Sequence, residues 1–220
     1  MKQLILISLF LLTAVGATAQ VDTLRKGDDL VVIHPILHGT LALEWEGKTI
    51  YVDPYGGKKG FGELSDPDLI LITDIHGDHL DSAPLAELNT TETQFIVPKA
   101  VAEKLGDDYK NVKVLANGSK TKWEGARIEG IPMYNLPESA ESRHTKGRGN
   151  GYLLNLGNLR IYISGDTEDI TEMRALENID AAFVCMNQPY TMDVNQAADA
   201  VAAFKPTIVY PYHFRVKYGL

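Results

Sequence analysis

The chain has 220 residues, of which 45% are hydrophobic and 23% charged, so it can form the core of one ordinary globular domain. Acidic residues outnumber basic ones by 29 to 21, which gives a formal net charge of −8 at pH 7. This balance disfavours a nucleic-acid partner, because such binding depends on clustered Lys and Arg. A single cysteine excludes an intrachain disulfide.

The amino terminus has the pattern of a secretory signal peptide over residues 1–19. A basic start is followed by an apolar run from Leu4 to Gly16, and Ala17-Thr18-Ala19 supplies small residues for cleavage. The run is shorter than the roughly 20 residues of a membrane-spanning helix, which disfavours a retained anchor as the alternative. We therefore expect export to the periplasm or the medium, and a single mature domain over residues 20–220.

Alternating and β-branched residues predict a strand-rich first part, over residues 30–54. The later predicted elements, in chain order, are a strand at 68–72, a helix near 82–88, a strand at 94–97, a helix at 100–105, β structure over 122–164, a helix at 171–176, a strand ending at 185, a helix at 193–204 with Asp193 as its cap, and a final strand at 206–212. Strands and helices thus share one domain, and no linker or repeat divides it.

Potential metal ligands are concentrated in one turn directly after the strand at 68–72. The turn reads Thr73-Asp74-Ile75-His76-Gly77-Asp78-His79 and contains four such side chains. The carboxyl end of a buried strand is where α/β folds usually place their chemistry. The pattern therefore predicts a metal site at this strand end.

Later segments place further candidate ligands in similar contexts. The strand-like run Leu159–Ser164 ends in Gly165-Asp166-Thr167, and the final strand ends in His213. His144 lies in the polar loop Ser142–Asn150, before another strand-like segment. Asp166 could instead cap a following helix, but its position after a buried strand favours a ligand.

Together these pieces resemble the metallo-β-lactamase-fold hydrolases, whose signature is His-x-His-x-Asp-His after a strand, then a loop His, a Gly-Asp-Thr and a late strand-end His. Within that superfamily, His38-Gly39-Thr40, Thr49–Pro54 and Gly149–Tyr152 resemble the branch of ascorbate-lactone hydrolases, uncharacterised zinc-dependent hydrolases and N-acylphosphatidylethanolamine phospholipase D enzymes. The resemblance implies an α/β (α+β) fold, a four-layer αββα sandwich. One departure is that Asp74 stands where the signature has its first His.

The resemblance also implies a centre of two divalent metal ions. Site one would use Asp74, His76 and His144, site two would use Asp78, His79 and His213, and Asp166 would bridge them. This mixed set of imidazoles and carboxylates suits zinc, and also manganese or iron. Two cations lower the pKa of a water between them from about 15.7 towards about 7, which provides a bridging hydroxide nucleophile at neutral pH.

Two residues are candidates for a catalytic role beside the metals. Asp78 is placed to orient the attacking water as well as to act as a ligand. His38 has no ligand position in the resembled family, so it either contacts the reacting substrate or is a hydrogen-bonded structural histidine. A second histidine, His34, lies in an apolar strand and is predicted to be structural.

Candidate substrate contacts come from two loops. Arg143, Lys146 and Arg148 flank the loop histidine and either attract an anionic substrate group or form a solvated loop. Asn187 and Tyr190 follow the strand that ends near residue 186 and either line the pocket or cap the next helix.

Cys185 lies inside that same apolar strand. Some relatives in the resembled family have a cysteine ligand, but Asp166 already fills the bridging position here. We therefore predict that Cys185 is a small buried side chain and not a ligand.

The sequence thus predicts an exported metallo-hydrolase of small, anionic esters, lactones, amides or phosphodiesters. One alternative is a phospholipase D-like phosphodiesterase on membrane lipids. Another is a non-catalytic metal-binding protein, because Asp74 departs from the signature and the chain ends only seven residues beyond His213, which suggests truncation. β-Lactam hydrolysis is disfavoured, since the pattern around His38 and Asp53 belongs to another branch.

Overall fold

The computed structural model describes residues 21–214, so the predicted leader and the predicted truncation after His213 lie outside the described residues. The strands are β1 Asp22–Lys26, β2 Asp29–Leu37, β3 Thr40–Trp45, β4 Lys48–Val52, β5 Leu69–Leu71, β6 Gln94–Val97, β7 Val112–Val114, β8 Lys120–Trp123, β9 Ala126–Met133, β10 Gly149–Leu156, β11 Leu159–Ile163, β12 Ala181–Met186 and β13 Ile208–Phe214. The helices are α1 Lys58–Phe61, α2 Ser82–Ala86, α3 Lys99–Leu105, α4 Thr171–Arg174 and α5 Val194–Phe204.

The strands form two mixed sheets. The first has the order β1-β2-β3-β4-β5-β6-β7, antiparallel from β1 to β4 and parallel from β4 to β7. The second has the order β13-β12-β11-β10-β9-β8, antiparallel from β8 to β11 and parallel from β11 to β13. Each sheet therefore has a parallel half whose strand ends lie along one edge.

Strand β5 shows how the layers are assembled, because its side chains alternate between two hydrophobic clusters. Ile70 belongs to a cluster with residues of α2 and α3, whereas Leu69 and Leu71 belong to the larger cluster that contains the second sheet, α4 and α5. All three side chains are fully buried. Burial on both faces explains the continuous apolar run of this strand, as expected for a parallel strand covered on both sides. The predicted α/β sandwich is thus confirmed.

Strand β1 was missed by the sequence patterns because it is a polar edge strand. Of its five residues only Leu24 is buried, and the others are exposed. One buried residue gives no recognisable alternation, so pairing with β2 defines the strand.

The helix α5 begins with the predicted Asp193 cap. The Asp193 carboxylate accepts hydrogen bonds from the backbone N–H groups of Asn195 and Gln196, and the Gln196 side chain accepts one from the Asp193 N–H. This capping box satisfies backbone donors that the first turn leaves unpaired. Among residues 21–214, none of the helices is both long and apolar enough to cross a membrane.

Replacement of Asp193 by Ala is expected to lower the free energy of unfolding by about 1 kcal/mol, because the N-terminal cap is lost. Urea unfolding followed by circular dichroism measures the change. Asp199→Ala on the same helix is the matched control, since the Asp199 side chain is 81% exposed and has only a 3.5 Å contact to Arg174. An equal loss in both variants would show that charge, and not the cap, is responsible.

Candidate metal centre

The predicted ligands meet where the parallel halves of the two sheets end. The turn after β5 carries Asp74, His76 and His79, and it closes with hydrogen bonds from the N–H groups of His79 and Leu80 to the His76 carbonyl. Asp166 follows β11 across the gap between the sheets. The structure thus brings potential ligands from both sheets together at one place.

The potential ligands form three neighbouring groups. Asp74, His76 and His144 form the first group, with candidate ligand atoms within 4.8 Å of one another. His79, Asp166 and His213 form the second group by the same measure. Oδ2 of Asp166 lies 3.2 Å from Nε2 of His144 and 3.3 Å from Nε2 of His79, so this carboxylate joins the groups. Its position is the one expected of a bridging ligand.

Six atoms of these groups are buried without a hydrogen-bond partner among the described residues. They are Nδ1 of His76, Nε2 of His79, Nδ1 and Nε2 of His144, Oδ1 of Asp166 and Nε2 of His213. Buried polar atoms in proteins are almost always hydrogen-bonded, and unpaired ones require an explanation. Imidazole nitrogens and carboxylate oxygens are ligands of zinc and of other transition metals. The convergence of such atoms from five side chains fits divalent cations.

Asp78 forms the third group with His38 and His213, so this group shares His213 with the second. Its Oδ2 is 3.5 Å from Nε2 of His213 and 3.5 Å from Nε2 of His38, while Oδ1 is 4.0 Å from Nε2 of His79. The adjacent rings of His213 and His38 hold the pKa of the Asp78 carboxyl far below its usual range, so it is ionised at neutral pH. The structure thus brings together His38 and Asp78, the two predicted catalytic residues.

A buried carboxylate behind the ligands, Asp53, was not predicted to have a role. It accepts hydrogen bonds from the Thr73 N–H at 2.7 Å and the Thr73 hydroxyl at 2.6 Å, and its Oδ2 lies 2.8 Å from Nδ1 of His79. Because a carboxylate only accepts, Nδ1 of His79 carries a proton and donates it to Asp53, and this contact turns Nε2 towards the centre. The signal in the sequence was the position of Asp53 directly after β4, which pairs in parallel with β5.

Arg148 was predicted only as one of three cations in the loop, but it contacts a ligand directly. Its Nε lies 3.1 Å from Oδ1 of Asp74 and its Nη2 lies 3.1 Å from Oδ2 of Asp74. This is the two-pronged geometry that guanidinium groups form with carboxylates. The Asp74 side chain is fully buried and that of Arg148 is 21% exposed, so the pair is shielded from water.

The other predicted substrate contacts have partners of their own. Lys146 pairs with Glu172 at 2.9 Å and Glu138 at 3.1 Å, and the Arg143 guanidinium lies 4.4 Å from the Tyr190 ring centre. The side chains of Lys146, Arg143 and Tyr190 are therefore engaged in contacts within the protein.

Asn187 is the predicted substrate contact that adjoins the ligands. It is buried, and its Nδ2 lies 3.4 Å from Nδ1 of His213. A buried amide in contact with a ligand ring supports the position of that ring.

The charges of the ligands stabilise one another. Burial alone would raise the pKa of the Asp166 carboxyl, but the rings of His79, His144 and His213 hold it well below its usual range. Burial alone would lower the pKa of His79, but the carboxylates of Asp166 and Asp53 raise it well above its usual value. The second group is thus strongly attractive to positive charge.

Three residues at the centre adopt left-handed backbone conformations that non-glycine residues rarely adopt. The φ angles are 56° at His38, 45° at Asp53 and 47° at His213. His213 also has no partner residue in the register of β12 and β13, because Cys185 pairs with Tyr212 and the next residue, Met186, pairs with Phe214. Such a bulge redirects a side chain, and strain of this kind is concentrated at functional sites.

The structure places His34 and Cys185 away from the ligand groups. Nε2 of His34 lies 2.7 Å from Oε2 of Glu44, and Cys185 is buried with its thiol donating to the Thr167 carbonyl at 3.3 Å. Burial raises the pKa of the Cys185 thiol to about 11, with a further contribution from Asp166. A protonated thiol is a poor ligand, because metals bind the thiolate.

The fold and this arrangement of ligands are those of a metallo-hydrolase. The family model described as "Beta-lactamase superfamily domain" matches residues 33–213, and the chain belongs to this family. The UPF0173 metal-dependent hydrolase of Pyrococcus horikoshii is 30% identical over 188 residues, which cover 80% of this chain and 82% of the relative.

Two solved structures share the fold. A protein from Parabacteroides distasonis, described as a metal-dependent hydrolase, is 39% identical, with a TM-score of 0.82 and coverage of 90% of each chain. A metallo hydrolase from Ignicoccus hospitalis shares the fold at 23% identity, with a TM-score of 0.70 and coverage of 84% of this chain and 83% of that one.

Replacement of Gly39 by Ala is expected to lower metal content by displacing His213. An added Cβ at Gly39 would lie 2.6 Å from Cδ2 of His213, whose ring is held by the His38 ring at 3.9 Å and by the buried site around it. A displacement of about 1 Å is large for a functional site. Elemental analysis of the purified variant measures the loss.

Gly77→Ala is the matched control, because it lies in the ligand turn with open space around its added Cβ. It should keep the metal content of the unsubstituted protein. A normal metal content in Gly39→Ala would show that His213 adjusts without loss of binding.

Proposed function

We propose that this metallo-hydrolase holds two divalent cations and cleaves a small anionic ester, lactone, amide or phosphodiester. The observation that supports this most strongly is the set of buried, unpartnered ligand atoms on both sides of Asp166. The first cation site would use Asp74, His76 and His144, and the second would use His79, Asp166 and His213, with Asp78 beside it. Zinc suits this donor set, and manganese or iron is an alternative that metal analysis distinguishes.

The accessible side of the centre is formed by three partly exposed side chains. His38 is 19% exposed, His76 24% and Asp78 30%, whereas the other ligand side chains are at most 5% exposed. A substrate therefore has to approach over His38, His76 and Asp78. This polar approach, next to a centre whose other side chains are buried, supports a small polar molecule as the substrate.

When bound here, divalent cations supply Lewis-acid polarisation of a substrate oxygen and lower the pKa of a water. The ionised Asp78 carboxylate, on the accessible side, accepts a hydrogen bond from the attacking water and orients it. Nε2 of His38, 3.5 Å from Asp78, lies at the same opening and is placed to donate a hydrogen bond to the substrate. Asp53 keeps the proton of His79 on Nδ1 throughout.

The proposal predicts about two metal ions per chain and hydrolysis of at least one class in a panel of generic phosphodiesters, lactones, esters and amides. His144→Ala and Asp166→Ala should each reduce kcat/KM at least about a hundredfold, beyond the losses typical of residues behind the ligands. His34→Gln, a histidine paired with Glu44 away from the centre, is the control and should keep its activity.

Full turnover by His144→Ala or Asp166→Ala would contradict the mechanism. Bound metal and a loss of thermal stability on chelation, with no turnover on any class, would instead support the non-catalytic metal-binding protein. Sedimentation with phospholipid vesicles, together with cleavage of their headgroups, would support the membrane-lipid alternative.

We also propose that the protein is exported, on the basis of the leader pattern over residues 1–19. Expression of the full chain in a bacterial host should yield a mature protein that begins at Gln20 or within a residue or two of it. Amino-terminal sequencing of the periplasmic and cytoplasmic fractions measures this. A cytoplasmic protein that retains Met1 would contradict export.

A further inference from the structure

The two ligand groups differ in the charges that surround them. In the first group, the only carboxylate that is not shared, Asp74, is paired at both oxygens with the Arg148 guanidinium. In the second group Asp166 has only histidines as ion-pair partners among residues 21–214, and the same is true of Asp78 in the adjoining third group and of Asp53 behind His79. The second group therefore has an excess of negative charge, whereas the charge of Asp74 is offset.

This offset is permanent over the accessible pH range, because an arginine side chain does not lose its proton in proteins. A cation bound by Asp74, His76 and His144 would share the Asp74 carboxylate with the guanidinium. Each carboxylate oxygen has two lone-pair sites, so coordination remains geometrically possible. The repulsion between the cation and Arg148, in a site shielded from water, nevertheless weakens binding there.

We propose that the two cation sites fill unequally, and that Arg148 sets the difference. The site of His79, Asp166 and His213 fills first and tightly, and the site of Asp74, His76 and His144 fills second and weakly. This inference rests on the proposed dinuclear function and deepens it. Arg148 is a positioning residue here, because it acts on the cation through Asp74.

The pair also accounts for the departure from the signature described above. A neutral histidine at position 74 would need no counter-charge, whereas a buried aspartate without a partner would be costly. Arg148 provides that counter-charge, so Asp74 and Arg148 function as one neutral oxygen-donating unit. Replacement of one member alone is therefore expected to differ from replacement of both.

The test is a Zn²⁺ titration of metal-free protein by calorimetry, with a competing chelator to resolve the tight step. We expect two steps whose dissociation constants differ at least about tenfold. Arg148→Gln should tighten the weak step at least about tenfold and leave the tight step unchanged, because it removes the repulsion but keeps a hydrogen-bond donor. Asp74→Asn should abolish the weak step.

Lys146→Gln is the matched control, because it removes a positive charge two residues away that pairs with Glu138 and Glu172 and not with Asp74. It should leave both steps unchanged. Arg148→Lys keeps the charge without the two-pronged geometry and should leave the weak step weak. If Arg148→Gln does not fold, Arg148→Lys and the double variant Asp74→His with Arg148→Gln provide the test, and the double variant should tighten the weak step.

Two indistinguishable steps in the unsubstituted protein would overturn the inference. So would a weaker or absent second step in Arg148→Gln, since Arg148 would then serve to hold Asp74 in place for the metal. Absence of any Zn²⁺ binding would overturn this inference and the proposed function together. Two unequal steps without turnover on the substrate panel would support this inference while counting against the proposed reaction.

Discussion

The centre depends on the burial of the Asp166 carboxylate between side chains from both sheets. Asp166 follows β11 of the second sheet, yet its Oδ2 contacts His79 from the turn after β5 of the first sheet. A buried charge without partners is costly, and removal of one partner from a buried pair typically costs about 3–5 kcal/mol. The packing of the two sheets and the geometry of the ligands are therefore coupled. Divalent cations would neutralise this set of carboxylates and so stabilise the fold that positions them.

The backbone at this junction is shaped for the ligands rather than for regular pairing. His213 projects into the centre because β13 bulges at that residue, and its N–H donates to the His38 carbonyl at 3.0 Å. His38, in turn, has a left-handed conformation and is followed by Gly39, whose missing side chain leaves room for the His213 ring. Each of these features costs free energy in isolation. Because these features meet at one point, the strained segment of each sheet is held in place by contacts with the other sheet.

Much of this arrangement could be predicted from the sequence, because strand ends and ligand spacing are local patterns. The turn Asp74–His79, the Asp166 strand end and His213 were recognised from apolar runs that stop at ligand-type residues. The role of Arg148 could not be recognised in the same way. Arg148 and Lys146 are two residues apart in one polar loop, and only the fold decides which of them reaches Asp74. Asp53 was missed because a lone carboxylate after a strand does not indicate its partner.

The Asp74–Arg148 pair illustrates why a ligand cannot be judged by its residue type alone. Aspartate in place of a neutral histidine adds negative charge, which by itself would strengthen cation binding at that position. The guanidinium offsets this effect, because it cancels the added charge while Oδ2 of Asp74 remains beside His76 and His144. Two things then differ from the signature at this position. The donor atom is oxygen instead of nitrogen, and the Arg148 guanidinium lies next to it. Each of the two groups has one carboxylate and two imidazoles, so the groups differ in the charge that surrounds them and not in the kind of donor atom.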